Sequence, residues 1–148
     1  MQPFSLFLMA ALYPTSLDEY CASFHISFFS LKLRCVFCKH IVNLQGLADF
    51  FMKALSLVWK DDICYACCQP CIKLIAKYER EHFTRCIVEG HVLPFLTKKP
   101  LNDIVVRCVI CYKRLDYAEK LDCCYGDLSF YLVRNHWRSY CRNCKVKQ

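Results

Sequence analysis

Apolar residues at helical spacing dominate two stretches of the chain. Positions three and four residues apart, from Leu47 to Val58, predict an amphipathic helix over residues 44–58. Residues 72–87 contain neither Gly nor Pro and predict one long helix, with Gly90 as its end. A shorter helix is predicted over residues 18–24, with Ser16 or Thr15 as its N-cap.

Short apolar runs predict strands beside the cysteine pairs. The predicted strands are residues 31–33, 41–42, 105–106 and 130–133. Asp61-Asp62 and Gly126-Asp127 predict turns. The pattern therefore predicts an α+β fold.

Composition narrows the class of protein. Of 148 residues, 14 are Cys, 3 are Gly and 5 are Pro, and 56% are apolar, which excludes a disordered, collagen-like or low-complexity chain. The formal net charge is +7, but acidic residues are mixed among the basic ones. This balance favours acidic partners without committing the chain to nucleic acid.

The start of the chain bears on its compartment. Residues 1–12 are mostly apolar, but no Lys or Arg precedes them, and Tyr13-Pro14 stands where a signal-peptide cleavage site would be expected. The polar residues 15–19 stop the run well short of the roughly 20 residues that a membrane helix needs. We therefore expect a soluble, intracellular, reduced protein without a membrane partner, with Met9 as an alternative start.

Eight of the cysteines form four Cys-x-x-Cys pairs with a repeated spacing. In each half of the chain 29 residues separate the two pairs, and 36 residues separate the halves. Two such pairs supply the four thiolates of a closed tetrahedral zinc site, which organises a fold and leaves no open position for hydrolysis. The sequence predicts two structural zinc ions, and the ligand pairs are Cys35/Cys38, Cys68/Cys71, Cys108/Cys111 and Cys141/Cys144.

Other uses of the cysteines stay open at this stage. A disulfide framework, a redox-active pair or an iron–sulfur cluster would use the same residue type. Cys64 and Cys67 form a further Cys-x-x-Cys directly before Cys68, but only Cys68/Cys71 reproduces the 29-residue spacer, so we predict that Cys64 and Cys67 are not ligands. The remaining cysteines are predicted to be small apolar core residues.

These elements predict two tandem α+β zinc-binding modules joined by a linker helix. The predicted segments are an N-terminal arm with a short helix (1–30), the first module (31–71), the linker helix and connection (72–100), and the second module with a short tail (101–148).

The complete spacing, with the run LKLRCVFC around Cys35, Lys99-Pro100-Leu101, Arg107-Cys108 and Trp137, resembles the papillomavirus early protein six family. The resemblance covers about residues 15–144 and implies a zinc-binding viral adaptor without enzymatic activity. Family members capture acidic Leu-x-x-Leu-Leu helices in a pocket between the two modules and the linker helix.

The resemblance also implies partners and a location. The partners are the associated HECT-type ubiquitin ligase, Mastermind-like coactivators and Bak, in the host cytoplasm and nucleus, with effects on ubiquitination, transcription, apoptosis and immune response. Some relatives form homodimers through the first module. The implied peptide-binding residues are the floor residues Leu55, Ile72, Ile75 and Tyr78, the clamp Arg107, the rim residues Lys60 and Arg134, and the aromatic Phe37. An apolar stripe of this kind is also typical of plain core.

Several positions depart from the oncogenic members of that family. His136 stands where they carry a basic clamp residue, and Met52 and Ala54 replace residues that grip a tumour-suppressor transcription factor. The ending Lys145-Val146-Lys147-Gln148 lacks the pattern of a PDZ ligand, so no PDZ partner is expected. These departures favour a cutaneous-type, low-risk member.

Two other functions fit the sequence less well. The alternative is a zinc-dependent nucleic-acid-binding transcription regulator, for which the positive charge allows weak nonspecific DNA affinity. A RING-type ubiquitin ligase fits less well, because RING sites interleave their ligand pairs and include a histidine, whereas each half here closes on cysteines alone.

Overall fold

A computed structural model describes residues 13–145. The predictions for residues 1–12 and the expected absence of a PDZ ligand at residues 146–148 lie outside the described residues. The helices are α1 (Leu17–Phe24), α2 (Leu44–Met52), α3 (Gln69–Phe83), α4 (Leu93–Thr97), α5 (Tyr117–Tyr125) and α6 (Arg142–Lys145). The strands are β1 (Arg34–Cys35), β2 (Val58–Lys60), β3 (Ile63–Ala66), β4 (Thr84–Glu89), β5 (Val106–Cys108), β6 (Ser129–Val133) and β7 (His136–Ser139).

The chain divides into two compact units at the boundary between Cys71 and Ile72. Each unit has its own hydrophobic core and its own sheet. Within residues 13–145, no helix combines the length and the apolar character needed to cross a membrane.

The first unit is built on a three-stranded sheet in the order β1-β3-β2. β1 runs parallel to β3, with Cys35 opposite Ala66, and β2 runs antiparallel to β3. Helix α1 begins as predicted, because the Ser16 hydroxyl accepts a hydrogen bond from the Glu19 N–H. The core residues are Leu17, Leu31, Leu33, Cys35, Val42, Leu47, Phe50, Leu57, Cys64 and Ala66.

Helix α2 is shorter than the predicted helix over 44–58. Asn43 caps its start, but the helix ends at Met52, and Ala54 adopts a left-handed conformation with φ of 53°. Leu55 still packs against the core, and Val58 belongs to β2. The apolar residues that continue the helical spacing after Met52 therefore pack against the core or lie in a strand, and they are not part of the helix. The predicted strand over 31–33 is also wrong: Leu31 and Leu33 are core residues that lead into β1.

The second unit carries a four-stranded sheet in the order β4-β6-β7-β5. β5 runs parallel to β7, and the other neighbouring strands are antiparallel. The predicted strands over 105–106 and 130–133 appear as β5 and β6, each shifted or extended at one end. The core residues are Leu93, Ile104, Val106, Cys108, Cys111, Leu115, Cys123, Phe130 and Cys141.

The predicted long helix over 72–87 is wrong in its last turn. α3 begins earlier and ends at Phe83, and residues from Thr84 onward form β4 instead. Gly90 does not end the helix, since it lies after β4 at the start of a 3₁₀ turn. The change follows from pairing with β6, which gives the β-branched and apolar residues of this stretch a sheet neighbour.

Gly90 is buried, and any side chain there would meet its neighbours. A Cβ at this position would overlap the Cys124 Sγ and lie 2.9 Å from the Phe130 Cε1. Gly90→Ala is therefore expected to lower the free energy of unfolding by about 1–3 kcal/mol through overpacking, measured by urea unfolding followed at Trp137. Adding Cys124→Ala should recover part of the loss; equal stability of the single and double variants would contradict this cause.

Candidate metal centres

The structure gathers the eight predicted ligands into two groups of four, one in each unit. Within each group the sulfur atoms all lie within 4.8 Å of one another. The Cys38 and Cys68 sulfurs are 3.8 Å apart, as are those of Cys111 and Cys141. A tetrahedral zinc ion with Zn–S bonds of about 2.3 Å holds its sulfur ligands about 3.8 Å apart. Both groups therefore fit zinc, and the prediction of two zinc sites is confirmed.

The first ligand pair sits on a tight loop that follows β1. The Cys35 N–H donates to the His40 carbonyl at 2.9 Å, and the Lys39 N–H donates to the Cys35 carbonyl at 3.0 Å. Lys39 adopts a left-handed conformation with φ of 65°, which closes the loop. The Arg34 guanidinium donates to the Lys39 carbonyl at 2.8 Å and braces the loop from its other side.

The second unit repeats this loop with the same bonds. The Cys108 N–H donates to the Lys113 carbonyl at 2.7 Å, and the Tyr112 N–H donates to the Cys108 carbonyl at 3.0 Å. Tyr112 has φ of 67°, and the Arg107 guanidinium donates to its carbonyl at 2.8 Å. Together with the helices and sheets, the two four-cysteine groups confirm the predicted fold class of two tandem α+β zinc modules.

Backbone N–H groups prepare Cys35 to act as a thiolate. Burial raises the pKa of this thiol, but the N–H groups of Cys38, Cys68 and Phe37 outweigh it and lower the pKa to about 6. The Phe37 N–H lies 3.5 Å from the Cys35 Sγ. Since zinc binds the thiolate, these donors favour the metal-binding form.

Three ligands, Cys71, Cys108 and Cys144, hold their protons more tightly than Cys35 does. Burial first, and then the neighbouring cysteines, raise the pKa of Cys71, while Cys111 and burial raise that of Cys108. Burial and the Cys108 charge raise the pKa of Cys144 to about 12. Zinc must displace these protons, so metal uptake releases protons and weakens as the pH falls.

Cys64 and Cys67 lie outside the first group of four, as the spacing predicts. Cys64 is a core residue, and burial raises its pKa to about 12. Burial and the nearby Cys35 raise the pKa of Cys67 to about 12. Both groups are therefore protonated thiols at neutral pH.

A buried carboxylate that sequence reasoning missed ties the second zinc site together. Glu119, on α5, is 1% exposed, and its carboxylate accepts from the Lys113 Nζ at 3.0 Å and from the Arg142 N–H at 2.9 Å. Lys113 lies two residues after the ligand Cys111, and Arg142 lies directly after the ligand Cys141. Glu119 thus joins the two halves of the site without contributing a ligand.

The N-terminus of α5 completes this arrangement. The Asp116 carboxylate accepts from the Glu119 N–H at 2.8 Å, and the Asp116 N–H donates back to the Glu119 carboxylate at 3.0 Å. Burial alone would raise the pKa of Glu119, but the Arg142 and Asp116 N–H groups and Lys113 hold it below its ordinary value. The Asp-x-x-Glu spacing of this capping box was the signal in the sequence that would have found it.

Arg107 lies in β5, directly before the second site. Its register partner in the neighbouring β7 is another arginine, Arg138. Burial lowers the pKa of Arg107, and the positive charges of Arg138 and Arg114 lower it further. Arg107 and Arg138 line a groove of about 320 Å³ with Lys99, His136 and one acidic residue, Asp103. This groove, which we call the arginine groove, concentrates positive charge on partly desolvated side chains.

The remaining predicted peptide contacts of the second unit lie on α3 and in the turn between β6 and β7. Ile72 is buried, Ile75 is half-buried and Tyr78 is exposed, with its ring stacked on His82 at 4.2 Å between centroids. Arg134 donates to the Glu79 carboxylate at 2.7 Å and lies 3.8 Å above the Phe83 ring. Its charge is therefore already engaged, which the sequence did not indicate.

In the first unit, Phe37 is exposed on the first zinc loop and Lys60 is exposed at the end of β2. Leu55 is half-buried and packs against the core. All of these residues stay predicted peptide contacts.

Comparison with known proteins gives a consistent result. A family model described as Early Protein (E6) matches residues 35–144. The chain is 49% identical over 135 residues to Protein E6 of Human papillomavirus type 60, covering 91% of this chain and 95% of that protein. It is 48% identical over 136 residues to Protein E6 of Human papillomavirus type 48, covering 92% of this chain and 96% of that protein.

One solved structure among the matches is the C-terminal zinc-binding domain of the HPV51 oncoprotein E6. It is 32% identical, with a TM-score of 0.40, and the match covers 45% of this chain and 86% of that one.

Proposed function

Since this chain belongs to the papillomavirus early protein E6 family, we propose that it is a zinc-stabilised adaptor without catalytic activity that captures acidic Leu-x-x-Leu-Leu helices of host proteins. The two metal centres support an adaptor rather than an enzyme. Each offers four thiolates to one ion, and a closed tetrahedral site has no position left for water or substrate. The zinc ions would supply structure, and binding would fall to side chains outside the ligand set.

The arginine groove is the observation that carries the proposal. Arg107 and Arg138 are register partners in the neighbouring strands β5 and β7, and the groove that they line also contains Asp103. Burial and the charge of Arg138 lower the pKa of Arg107, whereas the charge of Glu79 favours the charged form of Arg138. A carboxylate in the groove would relieve the repulsion between the two arginines, and a guanidinium can hold a carboxylate through two parallel hydrogen bonds. An acidic helix brings such carboxylates together with apolar side chains, and helices of this kind dock through an apolar face.

The proposed partners are the associated HECT-type ubiquitin ligase and Mastermind-like coactivators, with Bak as a further target. Capture of the ligase would redirect ubiquitination, and capture of the coactivators would modulate host transcription. Family membership supports a host-protein adaptor in general, and the groove's charge supports acidic partners. We also propose a location in the host cytoplasm and nucleus, where these partners act.

Removing the Arg107 guanidinium tests the proposal. Arg107→Ala should weaken binding of an acidic Leu-x-x-Leu-Leu peptide to the zinc-loaded chain by about 10- to 100-fold, the usual cost of losing a charged hydrogen-bonded pair. Arg107→Lys should recover only part of the affinity, because lysine lacks the planar fork. The measurement is fluorescence anisotropy with the ligase-type helix, the Mastermind-type helix and a scrambled peptide.

Two controls separate recognition from folding. Arg34→Ala removes the equivalent brace from the first zinc loop, and Lys77→Ala removes an exposed charge from α3. Both should keep the wild-type peptide affinity, and all variants should keep two zinc ions. Equal binding by wild type and Arg107→Ala, or binding of DNA in place of both helices with a steep loss in salt, would contradict the proposal and favour the nucleic-acid alternative.

A further inference from the structure

β4 is an edge strand of the second unit. Its one neighbour in the sheet is β6, and among residues 13–145 no strand pairs with its other side. The strand is six residues long, and its central residues Arg85, Cys86 and Ile87 are exposed, with Ile87 57% exposed. Every second residue of such an edge directs its N–H and C=O groups outward, which is a template for pairing with another strand.

The side chains of β4 separate onto two faces. Val88 packs against the core of the second unit, and Cys86 lies two residues away on the same face. Ile87 and Glu89 therefore lie on the opposite face. Arg85 lies at the irregularity between Thr84 and Cys86, where the register with β6 shifts. The exposed residues of the strand thus run, in sequence order, from the positive Arg85 through the apolar Ile87 to the negative Glu89.

We propose that β4 pairs antiparallel with β4 of a second copy of this chain, with Ile87 opposite Ile87. In this register Arg85 of each copy lies opposite Glu89 of the other, so the pairing contains two Arg–Glu pairs around one Ile–Ile pair. The charge pattern of the strand is complementary to itself, and opposite charges facing each other across antiparallel strands are stabilising. The same patch serves both copies, as a two-fold symmetric interface requires.

The charges select this register over its neighbours. A slip of one residue in either direction places Arg85 opposite Val88 or Gly90, and Glu89 opposite Thr84 or Cys86. Each slip loses both ion pairs and turns the strand's side chains to the wrong faces. A strand of another protein would match both ends only if it carried the same order of charges, which a second copy of this chain does by construction.

The contacts that Arg85 and Glu89 already make do not oppose the pairing. The Arg85 guanidinium donates to the Asn135 side chain at 2.8 Å, on the surface. Glu89 lies 3.3 Å from His91, and both side chains are largely exposed. Exposed contacts of this kind contribute little to the free energy of folding, so breaking them costs little. The interface lies entirely on the second unit, it differs from the first-module dimerisation that the sequence resemblance implies, and it does not depend on peptide capture.

Charge reversal gives a test specific to this register. Arg85→Glu and Glu89→Arg each place like charges opposite each other twice, so each variant alone should associate roughly tenfold more weakly than wild type. An equimolar mixture of the two variants restores both opposite-charge pairs and should associate about as strongly as wild type. The measurement is sedimentation velocity of the full, zinc-loaded chain over a concentration series.

Other outcomes would overturn the proposal. A wild-type chain that stays monomeric over the whole concentration series would contradict the pairing of β4 with a second copy. Association that both single variants retain assigns the contact to another face, such as the first module. Association lost in both variants and absent from their mixture contradicts the register. Two zinc ions per chain in each variant establish that both variants fold.

Discussion

Cys68→Ser is expected to lower the zinc content from two ions per chain to one and to unfold the first unit. Cys68 closes the first group of four with its sulfur 3.8 Å from that of Cys38, and a serine hydroxyl is a poor substitute for a thiolate. Zinc binding contributes apparent free energies on the order of 10–16 kcal/mol in small zinc modules. A single module near 70 residues has too small a core to absorb such a loss.

The two tryptophans allow each unit to be followed separately. Trp59 packs against the core of the first unit and Trp137 against that of the second. Loss of zinc should change the Trp59 emission and leave Trp137 unchanged, with zinc counted by native mass spectrometry. Cys64→Ser is the matched control, because Cys64 lies outside the group of four, and it should keep two ions. One zinc in Cys64→Ser and two in Cys68→Ser would overturn the ligand assignment.

Glu119→Gln should destabilise the second unit by about 3 kcal/mol, without removing a ligand. The carboxylate accepts from three donors that an amide with one oxygen cannot satisfy: the Lys113 Nζ, the Arg142 N–H and the Asp116 N–H. Because the folded pKa is below the ordinary carboxyl value of about 4.3, the stabilisation is complete at neutral pH. It is lost only as acid protonates Glu119 through its lowered pKa.

Urea unfolding of the zinc-loaded chain, followed at Trp137, measures this loss. The matched control is Glu81→Gln, which removes an exposed carboxylate from α3 and should change stability by less than about 0.5 kcal/mol. Glu119→Gln should also lose its second zinc at a lower chelator concentration than wild type, because the hydrogen bonds that tie the two ligand loops to Glu119 are weakened. Equal unfolding midpoints for Glu119→Gln and Glu81→Gln would exclude this role.

The metal centres were predictable from sequence because their geometry is local. A Cys-x-x-Cys pair brings two sulfurs together by itself, so spacing alone identified the ligands. The cap of α1 was predictable for the same reason, since Ser16 and Glu19 are three residues apart. The helix prediction was wrong where residues far away in the chain decide the structure. The residues after Phe83 form β4 because β6, far away in the chain, provides a pairing partner.

The contacts of the charged residues divide in the same way: those between neighbours in sequence were predictable, and those between distant elements were not. Nothing in the local sequence indicates that Arg138 lies beside Arg107, because β5 and β7 are separated by a helix and a strand. The pairing of Arg134 with Glu79 likewise depends on how β6 meets α3. Glu119 is the exception, since its capping box is visible in four consecutive residues, although its contact with Arg142 is not.

The two zinc loops are built on the same plan. Arg34 and Arg107 brace the carbonyls of Lys39 and Tyr112 with bonds of the same 2.8 Å length. The distance along the sequence from Arg34 to Arg107 equals the distance from the helix cap Asn43 to the helix cap Asp116. The arginine brace is thus present in both units. The peptide capture that we propose for Arg107 would add a second role to a residue that also holds a metal loop closed, a role that its counterpart Arg34 is not proposed to share.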